Sequence, residues 1–250
     1  MKKMNFRSML MLTVMMSLVV SCGGDGDDER KGSERSVNLI LSKSSVEIPY
    51  MTETSVTLEG IEISDCDVEI EDDWYADAIV KKSTNEVRII ARKVGKTKLI
   101  VSYRNVITKC DITVTSFNNY CGNPFLDVFG KTREEIINIH GIPDSSGNDY
   151  IVYGDHIYEF KNGVLSYICN FDVRVVVNKN GTILKPSYFA EDAHNSLTER
   201  YEYITKTGNI EYFKYKNVCY IASAPGTGKN GFNWQFYYAP SLEEVQDLIN

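Results

Sequence analysis

The sequence predicts two globular domains of different class: an all-β antiparallel sandwich over 37–116, then an α+β module over 117–250. Three observations predict it. Short alternating apolar runs recur every ~8–12 residues from Val37 to Ser116 with no helical period between them, which is the spacing of a sandwich. Beyond residue 117, Ser/Thr-x-x-Glu capping boxes open apolar stretches at Thr132, Ser196 and Ser241, so helices enter. Composition shifts at the same place: thirteen of the sixteen Tyr and nine of the ten Phe lie in 117–250.

Ahead of the sandwich, Lys2, Lys3 and Arg7 precede an apolar run at 9–20. A bilayer-spanning helix needs about 20 apolar residues. A basic start, a short apolar core and a small residue before a cut site instead predict a secretory signal peptide over 1–21. Ser21-Cys22-Gly23-Gly24 resembles the lipobox of bacterial lipoproteins, which implies acylation of Cys22 as the new N-terminus. Val19 and Val20 depart from the usual Leu and small residue, and an ordinary cleaved signal with an incidental Cys is the other reading. Two or three acyl chains, at ~0.8 kcal/mol per buried CH₂, hold a chain on a membrane essentially for good. Asp25, Asp27, Asp28 and Glu29 come directly after and resemble the surface-export signal of Bacteroidota lipoproteins; a solvated acidic linker is the plainer explanation. Gly, Ser and charge fill the rest of 22–36, which predicts a disordered tether reaching at most ~50 Å at 3.3–3.6 Å per residue.

Lys plus Arg number 27 against 34 Asp plus Glu, a net −7. The signal segment holds three positive charges and no negative one, so residues 22–250 carry −10. That balance leaves no basic footprint for nucleic acid. With 43% hydrophobic and 24% charged residues, a wholly disordered or collagenous chain is excluded as well.

In the sandwich, the runs at 37–41, 46–48, 55–58, 68–70, 87–90, 98–103 and 106–114 read as strands. In the last of them Val106, Thr108, Cys110, Ile112 and Val114 share one face, and Lys109 and Asp111 take the other. Leu41-Ser-Lys-Ser-Ser-Val-Glu-Ile, Trp74 with Ala78-Ile-Val80, and Ala91-Arg-Lys-Val-Gly95-Lys-Thr-Lys-Leu-Ile-Val together resemble a bacterial Ig-like domain of group 2. The resemblance implies an Ig-like sandwich with Trp74 in its core, and a role as spacer or adhesin module. An exposed, sugar-stacking Trp74 is the other reading.

In the α+β module, the Thr132 box opens a helix carrying Ile136, Ile137 and Ile139, and Gly141 with Pro143 stops it. Ser196-Leu-Thr-Glu199 opens a second helix at 200–204, and Ser241-Leu-Glu-Glu244 a third at 245–249. Strands read at 150–153, 156–160, 164–171, 212–216, 218–223 and 232–238. Asn162-Gly163 is a tight hairpin turn, since both residues accept positive φ, and 178–181 suggests a second hairpin. The order is helix then antiparallel meander, used twice, in tandem units at about 126–186 and 190–250. Phe129-Gly-Lys-Thr-Arg-Glu-Glu-Ile-Ile-Asn-Ile-His-Gly-Ile-Pro-Asp144, with Tyr158-Glu-Phe-Lys-Asn-Gly-Val-Leu165 beyond it, resembles the SmpA/OmlA small outer-membrane lipoproteins, whose fold the β-lactamase-inhibitor protein shares. His140 departs from the usual Leu. The likeness covers about 126–171 and implies fold, not activity, because its positions are caps and core.

Chemistry is sparse. His140, His156 and His194 are the three histidines, none at metal-ligand spacing from another His or Cys, so no metal and no cofactor are expected. Ala224-Pro-Gly-Thr-Gly-Lys229-Asn230 lacks the first Gly and the Ser/Thr of a phosphate loop and runs into an alternating strand, so it reads as a hairpin loop. Carboxylate pairs assembled in space leave no sequence signature, which keeps a hydrolase as a remote alternative. Beyond Cys22, Cys66 with Cys110 and Cys169 with Cys219 are disulfide candidates in an oxidising compartment, while buried free thiols are the equal alternative. On the last long strand Phe232, Trp234, Phe236 and Tyr238 share the face expected under a helix; Asn233, Gln235 and Tyr237 share the other. Tyr215, Trp234, Gln235 and Tyr237 are the candidate binding residues, for a Tyr-lined sheet face suits protein or glycan recognition. The plainer account is that Tyr builds both faces of a small sheet.

The expectation is therefore a non-catalytic outer-membrane lipoprotein, anchored through Cys22 and facing the cell exterior, whose α+β module binds a protein or carbohydrate beyond an Ig-like spacer. A structural component of an envelope assembly complex is the alternative.

Overall fold

The computed structural model describes residues 38–118, 121–172, 186–228 and 231–249. Cys22, the acidic residues Asp25, Asp27, Asp28 and Glu29, and the hairpin expected at 178–181 lie outside the described residues.

The first half is built of β1 (Ile40–Leu41), β2 (Ser45–Pro49), β3 (Glu53–Glu59), β4 (Asp67–Ile70), β5 (Ala76–Lys81), β6 (Glu86–Ala91), β7 (Gly95–Tyr103) and β8 (Val106–Thr115). They form two four-stranded sheets, ordered β1-β3-β6-β5 and β2-β8-β7-β4. Strict alternation places Val87, Ile89 and Ala91 of β6, Leu99 and Val101 of β7, and Cys110, Ile112 and Val114 of β8 in one buried core. One pairing differs from the antiparallel expectation: β2 runs parallel to β8, with Ser45 opposite Asp111 and Pro49 opposite Thr115. The chain crosses from one sheet to the other between β1 and β2, so β2 reaches β8 already pointing the same way. The strand β5 shows no alternation because Ile79 and Val80 are both exposed at the sheet edge. Asn85 holds the turn before β6 in the left-handed region (φ 51°), donating from Nδ2 to the Leu58 and Ile61 carbonyls and accepting from the Ile63 amide.

The second half runs α1 (Arg133–His140), β9 (Ser145–Ser146), β10 (Tyr150–Tyr153), β11 (His156–Lys161) and β12 (Val164–Asp172). Then come α2 (Pro186–Thr198), β13 (Glu202–Thr207), β14 (Ile210–Tyr215), β15 (Cys219–Gly228), β16 (Gly231–Ala239) and α3 (Leu242–Asp247). Helix then meander is thus used twice, and the two meanders join through β12 and β16 into one eight-stranded sheet, ordered β13-β14-β15-β16-β12-β11-β10-β9. Directly opposed residues share a face in an antiparallel ladder. Tyr158, Ile168, Tyr238, Ile221 and Phe213 are opposed in turn across five strands, and all are buried beneath Ile136 of α1 and Ala193 and Leu197 of α2. Burial of an Ile or Phe such as Ile168, Ile221 or Phe213 contributes roughly 1.5–3 kcal/mol. The opposite row is Ile157, Cys169, Tyr237, Ala222 and Tyr212; α3 covers its Tyr212 end through Val245.

The boxes at Thr132 and Ser241 cap α1 and α3 as expected, each with both reciprocal bonds made. The box at Ser196 does not. Its helix ends there instead of starting, and 202–207 is the edge strand β13. The Ser196 hydroxyl accepts from the Cys121 amide at 3.0 Å, and the Glu199 carboxylate accepts from the Asn118 amide at 3.2 Å and the Ser116 hydroxyl. The pair satisfies Ser116, Asn118 and Cys121 of the incoming chain in place of its own helix.

The disulfide candidates are also corrected: Cys66, Cys110, Cys169 and Cys219 are free thiols, as is Cys121. Cys110 is buried in the sandwich core and Cys66, just ahead of β4, is partly buried against the same core, both as free thiols. Cys169 shares its sheet face with Tyr237, whereas Cys219, opposed to Tyr215 across β14 and β15, is on the face beneath α2. Burial pushes the Cys169 and Cys219 thiols up to about 12, so neither is a thiolate at neutral pH.

Candidate functional site

Among the described residues no strand is shared between the two halves, yet 37–250 belongs to one compact unit. The joint begins at the turn between β6 and β7. Lys93 reaches the end of α2 and donates from Nζ to the carbonyls of Thr198 (2.7 Å) and Tyr201 (2.9 Å). Those carbonyls belong to the last turn of a helix and its exit, where acceptors are left over and partial negative charge collects. The Val94 amide adds a bond to the Glu199 carbonyl at 2.8 Å.

Trp74 is half-buried in this joint, not in the sandwich core where the Ig-like resemblance put it, and it is not an open stacking platform. Its indole N–H donates to the Arg200 carbonyl at 3.3 Å, and its ring meets Tyr215 edge-on at 5.7 Å. Beside it the hydroxyls of Tyr75 and Tyr215 are 2.7 Å apart. Lys216 pairs with Asp72 and lies over both rings, 4.8 Å from the Tyr75 centroid and 5.4 Å from that of Tyr215. Burial is the main cause that raises the pKa of both phenols, so they remain neutral hydrogen-bonding groups. Gly95 (φ 151°) is required here, because a Cβ would stand 2.2 Å from the Tyr75 ring.

Next to the joint opens a cleft of about 560 Å³, between β7 and β8 of the sandwich and the loop 123–127. Tyr75, Tyr215 and Phe125 give it aromatic walls, and Lys96, Asn123 and Asp127 give it polar ones. Arg200 is buried at its back, donating from Nε to Asn123 Oδ1 at 2.9 Å and from Nη1 to the Asn118 and Ser196 carbonyls, with the Glu199 carboxylate 3.9 Å away. Phe125 is held from behind by a stacked His140 ring (centroids 3.7 Å apart) and an edge-on Tyr153. His140 Nε2 is 3.7 Å from Asp127 Oδ1, too long for a hydrogen bond. The loop reaches this position because Gly122 (φ 65°) lies flat on His156, whose Cε1 a Cβ would approach to 2.7 Å. His156 is itself buried, which lowers its pKa, and its Nε2 is 3.3 Å from the Cys121 carbonyl.

Of the residues expected to bind, Tyr215 lines this cleft. Gln235 and Tyr237 lie elsewhere, on the sheet face that carries α3, where Tyr237 packs against the cluster around Val245 and its hydroxyl donates to Gln235 Oε1 at 2.7 Å. Tyr167 and Tyr150 share that face, with the Tyr167 hydroxyl donating to Glu159. The backbone of Trp234 pairs with Pro225 and Asp172, and its side chain lies outside the described residues. Phe236 and Tyr238 are buried on the helix-covered face, as the alternation requires. The segment 224–228 is the rising strand of a hairpin closed by Gly228 opposite Gly231, so it makes no phosphate loop. His194 pairs with Glu211 at 2.9 Å. Among the described residues no His/Cys/Asp/Glu cluster has metal-binding geometry, and no helix is long and apolar enough to cross a membrane. No sequence motif marks Lys93, Tyr75, Asn123, Phe125 or Asp127. The one local signal is Gly122-Asn123-Pro124, a turn-forming run at the junction of the two compositions.

No family model matches the chain, and no curated protein matches it. Solved structures give low-scoring similarities. Domains 4 and 5 of the S-layer protein SbsC align at 17% identity over 31% of this chain and 51% of that one, with a TM-score of 0.28. The chain thus spans about half of that fragment. Domains 5–6 of the same protein align at 13% identity over 82% of this chain and 85% of theirs, TM-score 0.28. The EC1-2 fragment of human protocadherin-24 aligns at 12% identity over 79% and 91%, TM-score 0.24.

Proposed function

We propose that the chain is an outer-membrane lipoprotein held at the cell exterior through Cys22, with 23–36 as its tether, and that it is a binding module, not an enzyme. The finer fold reading belongs to the same proposal: an Ig-like sandwich of the group 2 type, carrying two SmpA/OmlA-like units. The joint modifies the spacer idea. A sandwich whose Lys93 bonds the end of a helix in the second half is a wall of the binding body and not merely its stalk.

The observation that carries the reading is the cleft. Its ~560 Å³ lies in the ~300–1,000 Å³ range of small-molecule sites, and it opens at the junction of two structural layers, where such sites concentrate. The acidic run at 25–29 supports the exterior over the periplasmic face.

Three experiments test the proposal. Cys22→Ala is expected to move the protein to the soluble fraction, and protease added to intact cells is expected to digest the parent protein. Retention of the variant in the membrane overturns the anchor; survival of the parent protein favours the envelope-assembly alternative. For binding, saturation-transfer NMR on a mixed library of sugars, peptides and small acids compares the parent chain with Lys96→Trp, a bulky side chain at the exposed rim. Signals lost in the variant support the cleft, and equal signals overturn it.

A further inference from the structure

We infer that the cleft takes an uncharged saccharide of one or two rings; this rests on the cleft being the binding site proposed above. The charges of its walls cancel. Arg200, buried at its back, is neutralised by Glu199 at 3.9 Å and its Nε and Nη1 donors are engaged by Asn123, Asn118 and Ser196, so its charge is spent within the protein. The exposed charges at the walls are one cation, Lys96, and one anion, Asp127, so they sum to zero. The nearby Lys216 is consumed by Asp72. A phosphate or carboxylate ligand therefore finds no net positive charge among the described residues of the walls, and a cationic ligand no net negative charge.

What remains free is a mixed set of donors and acceptors beside aromatic rings. Arg200 occupies Asn123 Oδ1, while the Nδ2 donors of this exposed residue make no hydrogen bond among the described residues. The Asp127 side chain is 73% exposed and makes no hydrogen bond among the described residues, so its oxygens are available acceptors. An amide donor beside a carboxylate acceptor matches vicinal hydroxyls, each of which both donates and accepts. Tyr215, Tyr75 and Phe125 supply the apolar counterpart for the C–H faces of a sugar ring, with the phenol hydroxyls as polar tips.

The test is isothermal titration of the full chain in detergent with three neutral disaccharides (cellobiose, maltose, N,N′-diacetylchitobiose), two acidic probes (digalacturonate, sialyllactose) and a glycine-rich decapeptide. Asn123→Asp, which keeps an acceptor for Arg200 and removes the amide donors, and Asp127→Ala, a substitution at an exposed loop side chain, are titrated alongside. A neutral disaccharide is expected to bind, with at least tenfold loss in each variant. Binding by the acidic probes or the peptide alone, lost in Lys96→Trp, overturns the saccharide class and leaves the cleft reading intact. Sugar binding that survives all three substitutions overturns both, as does the absence of binding by every probe.

Discussion

Replacing Lys93 by Met keeps most of the aliphatic stem and removes the ammonium that the sandwich lends to α2. Two carbonyls, those of Thr198 and Tyr201, lose their donor. A hydrogen bond to a charged group contributes about 1.5–3 kcal/mol net, and a cation at a helix C-terminus about 0.3–1 kcal/mol. Burial opposes this by lowering the pKa of the Lys93 ammonium, so the expected loss is about 2–3 kcal/mol for the pair of bonds together. At about 2–4 °C per kcal/mol for a body of 150–250 residues, Tm falls by roughly 4–12 °C. Urea unfolding read by the fluorescence of Trp74, in a Trp234→Phe background, reports on the joint directly because the indole sits in it. Lys96→Met is the control: its ammonium is exposed and makes no bond among the described residues, so its effect is expected within ~0.5 kcal/mol. If Lys93→Met matches Lys96→Met, the two bonds do not hold the halves together, and Lys93 is no fastening.

The same geometry yields three further outcomes. His156 is buried and its folded pKa lies below the usual 6.5, so the unfolded chain takes up its proton first; stability is full above pH ~6.5 and falls as pH drops toward the folded value. Tm measured from pH 7.5 to 5 should decline less in His156→Gln, and parallel curves would refute the assignment. Thiol titration of the native chain should label Cys66 well before Cys110, Cys121, Cys169 and Cys219, with all five reacting in denaturant; an intact mass short of two hydrogens would reveal a bond instead. Gly95→Ala drives a Cβ into the Tyr75 ring and is expected to cost about 1–3 kcal/mol, read by urea unfolding; an unchanged midpoint would mean the ring moves aside freely.

The parts of the fold legible in the sequence are those where a local pattern meets its own neighbours. The alternation of β8 needs only the pleat, and the boxes at Thr132 and Ser241 need only the turn they open. Asn162 and Gly163 take positive φ values of 55° and 83°, as a two-residue hairpin turn between β11 and β12 demands. Edge strands are hard to read for a physical reason. Neither β5 nor β13 buries one clean face, so Ile79 with Val80, and Tyr203 with Ile204, leave no period to detect. The parallel entry of β2 depends on which sheet the chain crosses to, and no residue of 45–49 encodes that.

The cleft is illegible in the sequence for a related reason, and the Ser196 box shows it most plainly. A hydroxyl and a carboxylate three residues apart form a device for satisfying backbone N–H groups. The sequence displays the device and not its target. At Thr132 the nearest open amides belong to the helix it opens; at Ser196 they belong to Asn118 and Cys121, more than seventy residues earlier. The cleft is assembled the same way. Tyr75 and Tyr215 meet across 140 residues, and the loop at 123–127 is brought to them by a glycine laid on His156. Each of these segments reads alone as an ordinary turn with ordinary turn residues. Their side chains meet because several contacts fasten one half of the chain to the other, Lys93 on the end of α2, Val94 on Glu199 and Asp72 on Lys216 among them; of the cleft walls Lys93 bonds only the Tyr201 carbonyl, and it carries no motif of its own.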